Sequence, residues 1–266
     1  MIPMMLSRRQ FLAAPLVLLL APRSGRASQL AHSAAYHAEI GIFFGLFTFT
    51  LDGTVDEEVD RIAGRYRVQA AGAGSGISNR VESVGLIRER RYTPTATTVI
   101  SSVRGRESRT HIGYDHEHGL VHYRHASETF LLGRRRVAED TIGMPVGQPL
   151  DDIVTATLNF AEGLLEPDAQ GGYRAFVVRR ARREGEGPDD VQTGGYRAEI
   201  VPARFTVAQE GESGRPVALL DLTPFSSWAR PSQPVRITVG PSRRPESLQV
   251  SLIFGTTVRV KFHAMA

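Results

Sequence analysis

The side chains best suited to chemistry in this sequence fall into a histidine group, a carboxylate pair and several arginine runs. His111, His116, His118, His122 and His125 lie close together with Asp115 and Glu117 between them. A zinc-type centre needs three or four such ligands converging on one point. His122 and His125 have an odd spacing, which on one strand sends them to opposite faces. No recognised ligand spacing is present, so the group reads as a solvated hairpin end and no metal is assigned. Asp151 and Asp152 have the types for an acid–base pair. Adjacent residues at a helix start point apart, however, and one is needed as a cap. Ser75 sits in Gly74-Ser75-Gly76 without the strand-to-helix context of a nucleophile elbow. The glycine-rich stretch Ala71–Arg80 has neither a Gly-Lys-Ser/Thr ending nor dinucleotide-binding spacing, and reads as a flexible turn leading into a short helix. Arg134-Arg135-Arg136, Arg179-Arg180 and Arg182-Arg183 read as solvated strand ends paired with carboxylates. Their functional alternative is a patch facing anionic lipid head groups. No catalytic residue and no cofactor is assigned, and the reading leans away from an enzyme.

The element that organises the chain is a helix predicted at about 150–162. Leu150, Val154, Leu158 and Ala161 recur at helical spacing, widened by Ile153, Ala156 and Phe160. Asp151 or Asp152 caps its start and Gly163 stops it. Nearly everything else reads as strand and turn. Tyr36 to Leu51 is predicted as one strand with Ile40, Ile42, Phe44 and Leu46 on one face and Phe43, Phe47, Phe49 and Leu51 on the other. Further strands follow at regular spacing, separated by turn signals. The fold class expected is mainly β: a large curved, mostly antiparallel sheet, a half-barrel or open barrel, with the central helix packed on it and separating two β-rich halves.

The N-terminus gives an address. Ser7-Arg8-Arg9-Gln10-Phe11-Leu12 is followed by the short apolar run Phe11–Ala21 and the small-residue site Gly25-Arg26-Ala27. These resemble a twin-arginine export signal, and the run is too short for a comfortable membrane span. Residues 1–27 are therefore expected to be a cleaved signal, 28–35 a linker and 36–266 a single β-rich domain in the periplasm. The whole chain is formally +4, with Lys+Arg 32 and Asp+Glu 28. Cleavage removes Arg8, Arg9, Arg23 and Arg26 and no acid, which leaves 28 basic residues against 28 acidic ones. A nucleic-acid partner loses its support on that ground. The chain has no cysteine, which rules out disulfides and thiolate metal sites. No later segment is apolar for long enough to make a helical span.

Several short motifs resemble the exported bacterial envelope family known as domain of unknown function 3108. They are Tyr36…Ile40-Gly41, Ser83-Val84-Gly85, Pro149-Leu150-Asp151-Asp152 and Pro234-Val235-Arg236-Ile237, and the resemblance covers most of Tyr36 to Phe262. The chain departs from the family where Asp151-Asp152-Ile153-Val154 stands in place of an expected Asp-Pro-Leu-Ser. The resemblance implies a curved antiparallel sheet with a helix packed on it, similar to periplasmic lipoprotein carriers. It supplies no reaction and no site residues.

The functional expectation is a non-enzymatic carrier or binding protein for a hydrophobic, lipid-like ligand. The candidate lining is Phe43, Phe44, Leu46, Phe47 and Phe49 with the helix face Val154, Leu158 and Phe160. The alternatives are an envelope structural module with a protein partner and, further off, a histidine-metal enzyme.

Overall fold

The computed structural model describes residues 30–129, 132–182, 185–187, 190–191, 195–210, 215–226 and 228–265. The expected export signal, 1–27, lies outside the described residues. Strands β1 (Leu30–Ile42), β2 (Phe47–Asp60), β3 (Arg65–Gly74), β4 (Ile77–Arg88), β5 (Arg91–Val103), β6 (Arg106–Asp115), β7 (Leu120–Glu128) and β8 (Arg135–Gly143) form an antiparallel meander. The two-residue β9 (Leu150–Asp151) and helix α1 (Ile153–Ala161) follow. Then come β10 (Tyr173–Arg180), β11 (Ala198–Glu210), β12 (Arg215–Leu220), β13 (Val235–Val239), β14 (Pro245–Ser251) and β15 (Thr257–Ala264). β15 pairs with β1, Ala34 facing Ala264 and Gly41 facing Thr257. One continuous 15-stranded sheet results, running from β8 back to β1 and on through β15 to β9. All its pairings are antiparallel except β9 with β10.

The sheet curls until its β8 end meets the start of β11. Ala138 of β8 bridges to Tyr196, just before β11, and the Ala198 amide donates to Asp140 at 2.9 Å. Behind this seam Tyr114, Val121 and Tyr123 pack against Leu150, Val178 and Tyr196. The Arg180 guanidinium, at the end of β10, lies 4.2 Å from the centre of the Tyr196 ring, a cation–π contact on the β10–β11 side of the seam. The expected curved, partly closed β architecture is the one observed.

Four local expectations are corrected. β1 begins at Leu30, so residues from there to 35 are strand rather than linker. The strand predicted through 36–51 reverses at Phe43–Leu46, and Ile42 pairs with Phe47. Phe43 and Phe44 take φ of 53 and 59° and Gly45 takes 86°, which together turn the chain back. The glycine-rich stretch holds no helix: Ala71–Gly74 ends β3 and Ile77–Arg80 starts β4. Its Gly72 is required because the Tyr36 ring lies on it, where a Cβ would meet the Tyr36 hydroxyl at 2.3 Å. That hydroxyl donates to Asn79 at 2.7 Å. Finally, α1 starts at Ile153, because Leu150 and Asp151 are held in the short strand.

α1 lies inside the curl rather than between two separate halves. Leu158 packs with Val59, Tyr66, Val68 and Tyr92 of β2, β3 and β5, with Val154 against the same group. Ala156 and Phe160 face the opposite wall, where Phe160 stacks on Phe205 at 4.7 Å between ring centres. No described helix is long and apolar enough to cross a membrane.

Candidate functional site

The helix stoppers one half of the barrel and leaves the other half as a lumen. Its start is fixed by Asp152, whose carboxylate accepts from the Thr155 amide at 2.7 Å while Thr155 Oγ1 accepts from the Asp152 amide at 2.9 Å. The second carboxylate oxygen of Asp152 accepts from Ser83 at 2.5 Å and from Thr97. Asp152 thus ties the helix to β4 and β5. Neighbouring Asp151 takes Arg91 and the Asn159 amide, the latter at 2.8 Å. Asn159 also pairs with the Tyr92 backbone in both directions at 3.0 Å, acting as a strand would. Burial, against the pull of Arg91, pushes the Asp151 carboxyl up to about 7.

The far end of the helix is sealed. Gly163, at φ 72°, and Leu164 donate back to Phe160 and Asn159 and close the last turn in a Schellman arrangement. Glu162 there accepts from the Tyr92 hydroxyl at 2.8 Å and from Arg61 and Arg244 at 3.2 Å each. Arg244 makes a two-pronged pair with the buried Glu57 at 2.6 and 2.5 Å.

On the N-terminal side of α1 lies a cavity of about 590 Å³. Asp152 and Ile153 form its floor. Its walls are the inward faces of β5 (Thr97, Val99, Ser101, Val103), β6 (Ser108, Thr110, Ile112) and β7 (Tyr123, His125, Ser127), with Val177 and Val178 from β10. Leu222, Phe225 and Trp228, from the loop between β12 and β13, also line it. Small side chains at every second position of β5 and β6 leave the space that larger ones would fill.

Five arginines, 106, 136, 179, 180 and 182, line the cavity against two carboxylates, Glu128 and Asp152. Arg180 pairs with Glu186 at 2.5 Å, and Arg136 donates to the Asp190 and Gly187 carbonyls. Arg179 pairs with Glu199 at 2.5 Å through one terminal nitrogen. Its Nε and Nη1, and Nε of Arg182, are buried with no hydrogen-bond partner. His125 bridges Thr110 and Ser127 at 2.8 and 2.9 Å. Burial, reinforced by Arg180 and Arg136, lowers its pKa to about 4, so it stands neutral in the wall.

The structure does not bring the eight predicted lining residues together, and none of them lines this cavity. Phe43, Phe44 and Leu46 sit on the β1–β2 turn and Phe47 at the start of β2, all of them exposed, Phe44 at 87% and Leu46 at 74%. The turn reverses the chain before those side chains can reach the interior. Phe49 is buried in the β1–β2 core, and Val154, Leu158 and Phe160 are packed against the barrel walls. The histidines scatter as strand alternation requires: His111 bonds Thr98, His122 bonds Thr141, His118 bonds Asp115 and His116 reaches the Pro94 carbonyl. Among the described residues no group of three or more His, Asp or Glu is placed to hold a metal. The arginine runs are corrected in part. Arg134 and Arg135 are exposed at the start of β8, and Arg179 and Arg180 pair with Glu199 and Glu186 at the end of β10. Arg136, Arg179, Arg180 and Arg182, however, line the cavity instead of being solvated. Arg183 lies outside the described residues. The signal that marks the lumen in the sequence is the period-two run of small residues Thr97, Val99, Ser101, then Ser108 and Thr110.

No family model matches the chain, and no curated protein does either. A solved structure, a beta-barrel-like protein of domain of unknown function DUF1849 from Brucella abortus, is similar at 9% identity with a TM-score of 0.42, over 89% of this chain and 97% of that one.

Proposed function

We propose that the chain is an exported, periplasmic, non-enzymatic binding or carrier protein that takes a hydrophobic, lipid-like ligand into the cavity above α1. The observation that carries this reading is the cavity itself: about 590 Å³ inside the barrel, walled by Val99, Val103, Ile112, Val177 and Val178. That volume lies in the range of small-molecule sites. An acid–base role for the nearby carboxylates is disfavoured because Asp152 spends both oxygens on Ser83, Thr97 and Thr155. Export rests on the twin arginines and apolar run at the N-terminus. Membership of the family of domain of unknown function 3108 belongs to this proposal and rests on its short motifs. Two of these, Ser83-Val84-Gly85 and Pro149-Leu150-Asp151-Asp152, meet in space through the Ser83–Asp152 bond.

The test is native mass spectrometry of the chain purified without detergent, compared with its denatured mass. Co-purifying mass that extracts into organic solvent, and is lost when Ser101→Phe fills the lumen in a folded variant, is the expected result. Retention of the same mass by folded Ser101→Phe sinks the cavity reading. The second reading, an envelope interaction module, is favoured by the exposed Phe43, Phe44, Leu46 and Phe47 tip, which contacts Phe254. It predicts that Phe44→Ser with Leu46→Ser abolishes capture of a partner while leaving the cavity ligand in place.

A further inference from the structure

We infer that Arg179 and Arg182 form an anion subsite in the cavity wall, so that the ligand is an amphiphile with a carboxylate or phosphate head. The inference rests on the carrier reading for the apolar part of the ligand and on separate observations for the head.

The first observation is the set of donors. Nearly all buried polar groups in folded proteins have a partner, and leaving a charged donor without one is costly. Arg179 Nε and Nη1 and Arg182 Nε depart from that rule within one lumen. The other arginines of the wall are engaged: Arg180 by Glu186 and the Tyr196 ring, Arg136 by backbone carbonyls, and Arg106 by the Thr129 carbonyl. Arg182 uses its two terminal nitrogens on the Thr223 and Glu186 carbonyls, at 3.3 and 3.2 Å.

The second observation is the sign of the field. Five arginines line the lumen with Glu128 and Asp152, and Glu199 and Glu186 pair with Arg179 and Arg180 behind it, so the positive charges outnumber the negative by one. Burial first, and then the neighbouring Arg179 charge, hold Arg182 below its ordinary pKa, with Glu186 pulling the other way. An oxyanion with two or more acceptor oxygens offsets that excess and takes the spare donors after a small rotation of each guanidinium. Arginine suits this better than lysine because its planar fork matches carboxylate and phosphate oxygens. The apolar residues of the same lining, among them Val99, Ile112, Val177 and Phe225, would receive the chain.

The molecule carries its own reporter, since its single tryptophan, Trp228, lines the same cavity. Trp228 fluorescence would be titrated with dodecanoate, dodecanol and inorganic phosphate, on wild type, Arg179→Gln/Arg182→Gln and Arg179→Lys. Wild type should bind dodecanoate roughly tenfold or more tightly than dodecanol, the scale of hydrogen bonds to a charged group. The double variant, checked for folding by circular dichroism, should bind both alike while keeping its affinity for dodecanol. Arg179→Lys should keep part of the preference. Equal binding of the two probes by wild type overturns the anion subsite and leaves the carrier reading standing. A preference that survives in the folded double variant overturns it as well. Phosphate binding that needs both arginines, with no binding of either chain probe, supports the subsite and sinks the lipid reading. No response to any of the three probes sinks both.

Discussion

At the scale of single residues the most consequential group is Asp151, a carboxyl fully buried beside the helix start. Burial raises its folded pKa to about 7, whereas an unfolded aspartate titrates near 3.8. Between those values the folded chain holds a proton that the unfolded chain has released. The stability contributed is therefore fully present below the unfolded pKa and is lost as pH rises towards about 7. The gap is worth on the order of 4 kcal/mol at full expression. Asp151→Asn keeps the hydrogen-bonding shape without the titration. Urea unfolding from pH 4 to 8 should show the variant gaining on wild type as pH rises, with the difference level above about 7. A constant difference across that range refutes the assignment. His125 works in the opposite direction, because its depressed pKa removes stability as pH falls from 6.5 towards 4. It is common to both proteins, so it cancels from the comparison.

Among the elements, the β1–β2 turn and α1 behave oppositely with respect to their apolar side chains. The turn holds two phenylalanines at positive φ, which costs about 1 kcal/mol or more for each L side chain. Phe44 buries little in return, although its ring covers Gly255. Phe44→Gly should therefore leave the thermal midpoint unchanged or raise stability by about 1 kcal/mol. A large loss would mean that the ring's contact with Gly255 outweighs the strain. α1, by contrast, spends polar as well as apolar residues on the interior, with Asp152, Thr155 and Asn159 all buried. Its amphipathic period was legible in the sequence. Its polar side was not, because a buried network of this kind looks in one dimension like a solvated face.

Over the whole molecule, the barrel has a sealed end and a lumen. The sealed end joins β2, β5, the turn before β14 and the end of α1 through Glu57, Arg244, Glu162 and Tyr92. Arg244→Ala strands Glu57, which is 5% exposed, and should cost about 3 kcal/mol or more in chemical denaturation. It lies at the opposite end of α1 from the cavity, so the variant should bind amphiphile with unchanged affinity as long as it folds. Loss of binding in the folded variant would show that the two ends are coupled.

The sequence by itself determined the β class, the mostly antiparallel sheet, the place of the helix at about 150–162 and its stop at Gly163, and narrowed its cap to Asp151 or Asp152. These are local properties: alternation, helical spacing, a capping aspartate and a stop glycine declare themselves within a few residues. Only the tertiary structure decided which face of each strand is the inside. Phe44 reads in sequence as half of an apolar wall and is thrown outward by a reversal one residue earlier. Arg179 and Arg182 read as a solvated strand end and are turned inward by closure of a sheet whose joining residues, Ala138 and Tyr196, lie far apart in the chain. Alternation fixes two faces but assigns neither to the core, and in a curled sheet the direction of curvature makes that assignment.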